Sequence, residues 1–349
     1  MSVTIKDVAK AAGVSTATVS RVLNNSKLIS PQTAEKVRNA MRELGYFPNN
    51  IARSFAYQNT CIIALVVDIE EPTAFNNPYF YQIQYGIEKY ICPKGYYLMI
   101  ANENTLNHSG TGFSQLVFEK RVDGLILPVS LLNKHLVKKM EDQNFPFVII
   151  GEPENGYDTN WVDVNNKMAG EISTTHLIEN QFQRIAFVSG SQKDLFNKRR
   201  LEGYLTALAK HGLSPDPDLI KEGAFSKEDG YALMSEFMGR QNPPDAVVFT
   251  DNLVAFGALS AAKAYGRRIP DEIGIVSFDN FPVAELSEPP ITTVDIDLIN
   301  LGIQAASMLL QEIQLPSTTK QQSLLSVRLI KRGTSERARR EQPAPWERS

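Results

Sequence analysis

The strongest constraint on the fold of this chain is an alternation that begins at residue 61. Short, almost purely apolar runs are separated by longer stretches whose apolar residues recur at helical spacing. The runs lie at residues 62–67, 97–100, 124–127, 147–150, 185–188, 246–249 and 273–276. The helical stretches include residues 79–91, 165–180, 198–211 and 252–265. Continuous apolar strands between helices indicate parallel sheets covered on both faces. Because about 250 residues of this pattern exceed one open sheet, we predict two doubly wound α/β lobes.

Composition excludes several classes of protein. The longest apolar run, residues 61–67, is far shorter than the roughly 20 residues of a membrane span, and the first 14 residues carry no apolar signal core. Two cysteines, Cys61 and Cys92, give no disulfide framework, so we expect a cytoplasmic protein. The four histidines are scattered, and the phosphate-loop, dinucleotide-binding and serine-nucleophile motifs are missing from the sequence. We therefore expect no metal, no cofactor and no enzymatic activity.

The charge of the chain is unevenly distributed. Its net charge is only −3, which by itself argues against a nucleic-acid partner. Residues 1–60, however, hold eight cations and three anions, so this segment is +5 and the remainder is −8. A basic module attached to an acidic body indicates a polyanion partner, although a solvated basic face is the simpler alternative.

The basic segment has the signals of three helices. Thr4 and Asp7 are spaced as a capping box, and Gly13 fits the end of the first helix. Ser15 fits the cap of a second helix, and Ser30 followed by Pro31 begins a third, which ends near Gly45. Two short helices joined by a tight turn predict a helix-turn-helix.

The second helix has an exposed face suited to DNA. Its small, polar and cationic side chains lie opposite the apolar stripe; they are Thr16, Ala17, Ser20 and Arg21. Short side chains contact thymine methyl groups, and arginine reaches guanine or phosphate in the major groove. The alternative is an ordinary three-helix bundle with a polar outer face.

Residues 5–24, IKDVAKAAGVSTATVSRVLN, and residues 45–49, GYFPN, resemble the DNA-binding headpiece of the lactose-repressor family. The similarity covers residues 3–50 and implies a helix-turn-helix that reads pseudo-palindromic operator DNA as a homodimer. It implies DNA contacts by Thr4, Ser15, Thr16, Ala17, Ser20, Arg21, Asn24 and Phe55. Phe55 matches a minor-groove wedge that is usually leucine, and phenylalanine also serves as such a wedge. A contact between paired hinges is the alternative for Phe55.

Polar residues follow the predicted strands of the body. In parallel sheets ligands bind outside the carboxyl ends of the strands. The residues at these ends are Asp68, Asn102, Pro128, Gly151, Asp163, Gly190, Thr250, Asp251 and Asp279. Hydrogen-bonding side chains of this kind suit a small hydroxylated ligand.

The family resemblance extends to about residue 334 through the stretches 200–204, 250–258, 269–280 and 290–295. It implies a core like the periplasmic binding proteins, with an effector between the lobes. Arg200 and Asp279 match effector contacts, Phe80 and Phe225 match stacking aromatics, and Asp163 and Thr250 match polar cleft positions. The alternatives are a solvated helix start for Arg200, a helix cap for Asp279 and plain core for the two phenylalanines. Asp251 also matches the family, but a helix cap explains it as well as an effector contact does, so it is not among the predicted contacts.

Three stretches, residues 68–80, 276–279 and 287–296, resemble regulators of maltose and α-glucoside genes. A maltose-type sugar is therefore the expected effector. Two alternatives remain open. The effector could be a different sugar or a nucleobase, or the chain could be a catabolite-control regulator that responds to a phosphoprotein partner. A transport-type sugar-binding protein would share the body but would need a secretion signal.

The expected domains are a headpiece at 1–48, a hinge at 49–60, a core at 61–332 and a mobile tail at 333–349. Within the core we expect an N-lobe of about 61–160 and 291–322, and a C-lobe of about 161–290 and 323–332. The tail lacks an apolar heptad and contains two prolines, so we expect a dimer without a tetramerising coiled coil.

Overall fold

The computed structural model describes residues 3–23, 26, 28–46, 59–67, 78–102, 116–117, 119–154 and 157–337. The chain divides into two compact units. One contains the three N-terminal helices, and the other contains two six-stranded sheets with their covering helices. Asn24, Phe55 and Asp68 lie outside the described residues, as does most of the expected hinge.

The N-terminal unit has the three predicted helices, α1 (Ile5–Ala12), α2 (Thr16–Leu23) and α3 (Pro31–Leu44). The Thr4 backbone N–H donates to Asp7 Oδ2 at 2.9 Å, and Gly13 follows α1 in the left-handed region at φ 65°. The Thr18 N–H donates to Ser15 Oγ at 3.1 Å at the start of α2. The capping signals read from the sequence therefore fix the helix ends.

The helices bury one small core. Its buried members are Val8, Ala9, Val19, Val22, Val37 and Ala40. Partly buried Ile5, Leu23, Met41 and Leu44 pack around them. Each comes from the apolar stripe of its helix, so the opposite faces stay available to solvent.

The larger unit contains a parallel sheet for the first lobe. Its strands are β1 (Ile62–Val67), β2 (Tyr97–Asn102), β3 (Gly124–Pro128), β4 (Phe147–Ile150), β5 (Trp161–Val164) and β11 (Gln322–Leu325). The order is β11-β5-β4-β3-β1-β2, and every pairing is parallel. Its helices are α4 (Pro78–Ile91), α5 (Lys134–Asp142) and α11 (Leu298–Gln314).

A second sheet forms the other lobe. Its strands are β6 (Ile185–Val188), β7 (Ile220–Lys221), β8 (Ala246–Phe249), β9 (Gly274–Phe278), β10 (Thr292–Asp295) and β12 (Arg328–Ile330). The order is β12-β10-β9-β8-β6-β7, with only β12 antiparallel among these strands. Its helices are α6 (Asn166–Glu179), α7 (Leu195–Lys210), α8 (Lys227–Met238), α9 (Asn252–Ala264) and α10 (Pro282–Leu286). The predicted pair of doubly wound lobes is confirmed. None of the helices in the described ranges is long and apolar enough to cross a membrane.

The lobe boundaries differ from those expected. Residues 161–164 and 322–325 form β5 and β11 of the first sheet, whereas residues 292–295 form β10 of the second. The chain therefore crosses between lobes three times, after β5, after β10 and after β11. The expected boundaries were wrong because each crossing follows a short strand. The residues of a short strand do not indicate with which of the two sheets it pairs.

The tail is also shorter than expected. Thr334 and Ser335 are fully buried, and Thr334 Oγ1 donates to the Ile275 carbonyl at 2.6 Å. Arg337 lies over the ring of Phe182 at 3.8 Å from its centroid. Residues 333–337 are thus part of the second lobe, because buried hydroxyls and a stacked guanidinium hold them. Residues 338–349 lie outside the described residues.

Three helix pairs meet through facing glycines. A Cβ on Gly170 of α6 would overlap the Arg200 carbonyl oxygen, and one on Gly203 of α7 would overlap the Lys167 carbonyl oxygen. Gly86 and Gly302 bring α4 against α11 in the same way, and Gly230 and Gly257 bring α8 against α9. Since no side chain intervenes, the two backbones approach more closely than at an ordinary helix contact.

We expect Gly170→Ala to lower the free energy of unfolding of the core by about 2–4 kcal/mol, because the new methyl group meets rigid backbone. Gly239→Ala is the matched control, since a Cβ there meets nothing nearer than 3.5 Å and the residue already has helical dihedrals. Urea unfolding followed by circular dichroism measures both. Equal midpoints for the two variants would contradict the close-contact argument.

Candidate functional site

The face of α2 that the sequence predicts to read bases is open to solvent. Ser15, Thr16, Ala17 and Arg21 are exposed and Ser20 is half-buried, whereas Val19 and Val22 lie in the small core. Thr4 is exposed at the start of α1, where its hydroxyl donates to Asp7 Oδ2 at 2.7 Å. The arrangement has the geometry of a helix-turn-helix whose second helix presents short polar side chains and one arginine.

A large cavity lies between the two sheets of the core. Its volume is about 640 Å³, within the usual range for small-molecule sites. Residues at the carboxyl ends of strands in both lobes line it, including Pro128, Gly151, Asp163, Thr250 and Asp279. Among the residues described, therefore, most of the strand-end set predicted from the sequence does converge.

Arg200 is buried and fixed at the floor of the cavity. Only 4% of it is exposed, so the solvated alternative is wrong. Its Nε donates to Asn166 Oδ1 at 2.9 Å, and its Nη1 donates to the Thr250 carbonyl at 3.1 Å. Its guanidinium lies over the ring of Phe278 at 4.4 Å from the centroid. A guanidinium held on two sides presents its remaining donors in a fixed direction.

Asp279 faces the cavity without capping α10, whose N-cap is Phe281. Its backbone is left-handed at φ 67°, a conformation that aspartate tolerates. Its Oδ1 is buried without a hydrogen-bond partner, and burial raises the pKa of the carboxyl to about 7 even though Arg200 opposes the shift. A buried acceptor without a donor is a place for a ligand hydroxyl.

Asp163 is the polar group contributed by the first lobe. The N–H groups of Glu152 and Val164 donate to it at 2.9 and 2.7 Å. Burial raises the pKa of this carboxyl, and the two N–H donors oppose the shift. Asn166 Nδ2 also donates to Asp163 Oδ2 at 3.2 Å, so a chain of hydrogen bonds joins Asp163 to Arg200 across the lobes.

The two predicted stacking phenylalanines do not line the cavity. Phe80 is half-buried and meets Tyr81 edge-on, and the preceding Tyr79 lines the cavity in its place. Phe225 is 63% exposed and lies next to Gly190. One residue along a helix turns the side chain by about 100°, so a register matched by resemblance does not decide which ring faces inward. Neither phenylalanine is plain core.

Other lining residues were missed in the sequence. They include the polar and aromatic residues Tyr79, Glu152, Glu154, Tyr157, Asn166, Lys193, Asp194, Phe196 and Phe281. Glu152 directly follows the strand-end Gly151, which was the one available signal. Asp251 lines the cavity and also caps α9, since its Oδ1 accepts from the N–H groups of Leu253 and Val254. Among the described residues no His, Cys, Asp and Glu cluster is arranged to hold a metal ion.

The raised pKa of Asp279 predicts that the folded protein becomes less stable as the pH rises. The folded carboxyl keeps its proton up to about pH 7, whereas the unfolded one loses it near its ordinary value of 3.8, so stability falls as pH rises between the two. Asp279→Asn has no carboxyl at this position, so it should not lose stability in this way as the pH rises. We expect the variant's advantage in free energy of unfolding to grow by about 1–3 kcal/mol from about pH 5 to about pH 8.

Urea titrations across that pH range test this, with the exposed Asp271→Asn as the control. An Asp279→Asn advantage that stays constant with pH would show that this carboxyl titrates normally in the folded chain.

Both parts of the chain have known relatives. Residues 4–49 match the bacterial regulatory proteins of the lacI family, and residues 174–335 match the periplasmic binding protein-like domain. The chain is 32% identical to the HTH-type transcriptional repressor PurR of Histophilus somni, over 89% of this chain and 92% of that protein.

Solved structures show the same architecture. The transcriptional regulator CelR in complex with cellobiose is 32% identical, with a TM-score of 0.69 over 95% of this chain and 99% of that one. The lac repressor dimer bound to operator and the anti-inducer ONPF is 26% identical, with a TM-score of 0.77 over 97% and 100%. These relatives are transcriptional regulators and not enzymes.

Proposed function

The chain belongs to the LacI family of bacterial regulatory proteins, and from that premise we propose that it represses carbohydrate-utilisation genes under the control of a glucose disaccharide. It is a DNA-binding transcriptional repressor with a ligand-binding core. The proposed ligand is maltose-type and binds in the cavity between the lobes. The observation that carries this is one cavity lined by a fixed guanidinium, Arg200, and by a buried carboxyl oxygen of Asp279 that has no hydrogen-bond partner.

The chemistry of the cavity favours an uncharged polyol. Arginine and aspartate bind adjacent sugar hydroxyls through charge-assisted hydrogen bonds. The lining carboxylates are Glu152, Glu154, Asp163, Asp194, Asp251 and Asp279, against the cations Lys193 and Arg200. This excess of negative charge disfavours a sugar phosphate or uronic acid, because each added anion meets like charges in a poorly solvated site. The aromatic rings of Tyr79, Tyr157, Phe196 and Phe281 offer apolar faces to a sugar ring.

The volume of the cavity suits more than one sugar unit. The CelR structure holds cellobiose, a disaccharide, and CelR has the same architecture. The sequence stretches around residues 276–279 and 287–296 favour maltose over its β-linked isomer as the ligand of this chain. The two disaccharides are therefore the two arms of the binding test.

DNA binding is proposed for the exposed face of α2. Ser15, Thr16, Ala17, Ser20 and Arg21 are the base-reading and phosphate-contacting candidates, with Thr4 at the start of α1. Asn24 and Phe55 complete the proposed set. The +5 charge of the first 60 residues supplies attraction to the phosphates, which weakens with salt.

A homodimer is proposed as the DNA-binding form, since one headpiece reads only one half-site. The lac repressor that resembles this chain is a dimer on its operator. Tyr81 and Tyr85 on α4 and Tyr97 on the edge strand β2 are each more than half exposed, which suits burial against a second copy.

The proposed regulation follows from groups of both lobes facing one cavity. Asp163 belongs to β5 of the first lobe, whereas Arg200 and Asp279 belong to the second. A ligand that binds all three favours one angle between the lobes, and that angle sets how the hinge around residues 49–60 pairs on DNA. Coupling of this kind is typically about 1–3 kcal/mol and acts equally on sugar and operator binding.

Calorimetry tests the ligand. At about pH 8, where the Asp279 carboxyl is ionised, we expect heat with maltose for the native chain and an affinity about 10- to 100-fold lower for Asp279→Asn, since a charged acceptor is lost. The same substitution at the exposed Asp271 should leave the affinity unchanged. Heat with a nucleobase but with neither maltose nor cellobiose would overturn the sugar proposal.

DNA binding is tested by operator selection from random duplexes, followed by titration of the selected site with and without maltose. We expect Arg21→Gln to weaken operator binding about 5- to 150-fold if the guanidinium reads a base, whereas Arg267→Gln on the core surface serves as control. Equal operator affinity with and without the sugar would show that maltose is not the effector.

A further inference from the structure

Two ion pairs join the lobes at the rim of the cavity. Arg199 on α7 is bidentate to Glu152, which follows β4 of the other lobe: Nη2 lies 2.7 Å from Oε1, and Nε lies 3.2 Å from Oε2. Lys198 Nζ lies 3.6 Å from Glu154 Oε1 in the same loop. Arg199 itself is not among the cavity-lining residues, whereas its neighbour Arg200 is.

The Arg199–Glu152 pair has the geometry of a strong surface ion pair. Its side chains are 35% and 21% exposed, so it is partly shielded from solvent, and two parallel N–H···O contacts fix its direction. The Lys198–Glu154 pair is longer and more exposed, at 44% and 69%, and screening by water leaves it weak. The bidentate Arg199–Glu152 pair is therefore the stronger of the two ion pairs that join the lobes.

Glu152 is connected to the ligand site through its own backbone. Its N–H donates to Asp163 Oδ2 at 2.9 Å, the same oxygen accepts from Asn166, and Asn166 accepts from Arg200. The lobes are thus joined at the rim by Arg199 and Lys198 and inside the cavity by Asn166. A shift of Glu152 moves the donor that orients Asp163.

We propose that Arg199 is a positioning residue which, through Glu152, holds the lobes closed over the cavity and thereby sets effector affinity without touching the effector. The proposal rests on the proposed function for the identity of the ligand. Its structural half, the closure of the lobes, is independent of which sugar binds. Arg199 also lies 3.2 Å from Glu202 on its own helix, a contact within one lobe that does not contribute to closure.

The test compares Arg199→Gln with two controls in the full chain. Arg184→Gln breaks an Arg184–Asp216 pair of equal length, 2.7 Å, and similar exposure, 32% and 30%, that lies within the second lobe. Glu202→Gln removes the other partner of Arg199. Small-angle scattering without ligand measures closure, and calorimetry with maltose and cellobiose measures affinity.

We expect Arg199→Gln to increase the ligand-free radius of gyration and to weaken sugar binding about two- to fivefold. Because salt screens a partly exposed ion pair, we also expect the sugar affinity of the native chain to fall with added salt and that of Arg199→Gln to change less. Arg199→Lys, which keeps the charge but not the bidentate fork, should recover part of both effects. The two controls should match the native chain in radius and affinity.

A radius of gyration for Arg199→Gln equal to that of Arg184→Gln would overturn the proposal. So would unchanged sugar affinity in a variant that has opened. If the native chain binds neither disaccharide, the proposed ligand fails, whereas the scattering comparison still decides whether Arg199 holds the lobes together.

Discussion

The close contact between α6 and α7 is the constraint on which the ligand site depends. Gly170 and Gly203 let the two backbones meet without an intervening side chain. Asn166 at the start of α6 and Arg200 in α7 are thereby brought within hydrogen-bond distance, at 2.9 Å. The guanidinium is then fixed from the α6 side and by the Thr250 carbonyl, with the ring of Phe278 beneath it. A wider spacing between α6 and α7 would break the hydrogen bond between Arg200 and Asn166.

The acidic residues of the cavity outnumber its cations, and each buried carboxyl depends on the groups placed next to it. Arg200 lines the cavity among several acidic residues and favours the ionised form of Asp279, yet burial still raises the pKa of the Asp279 carboxyl. Asp163 is stabilised instead by backbone N–H donors from its own lobe. The site is therefore short of hydrogen-bond donors at Asp279, which is the chemistry that a hydroxylated ligand supplies.

Local signals predicted much of the fold. The caps at Thr4, Ser15 and Ser30 and the stops at Gly13 and Gly45 define the three headpiece helices, because capping involves only residues within one turn. Four of the seven apolar runs are strands with the predicted bounds, and the other three differ by one or two residues at their ends. The five other strands that the structure describes were missed, since β5, β7, β10, β11 and β12 are short and most carry polar residues such as Asp163.

The sequence by itself determined the division into a basic three-helix unit and an acidic two-lobed body, most of the strand-end residues of the cavity, and the choice of Arg200 and Asp279 as candidates that the cavity contains. These depend on periodicity, capping and charge, which are local properties or resemblances along the chain. Tertiary structure alone decided which lobe receives β5, β10 and β11, that Tyr79 and not Phe80 lines the cavity, and that Arg199 reaches Glu152 across the lobes. Those outcomes depend on the crossing points of the chain and on helix rotation, and contacts between residues distant in sequence set both.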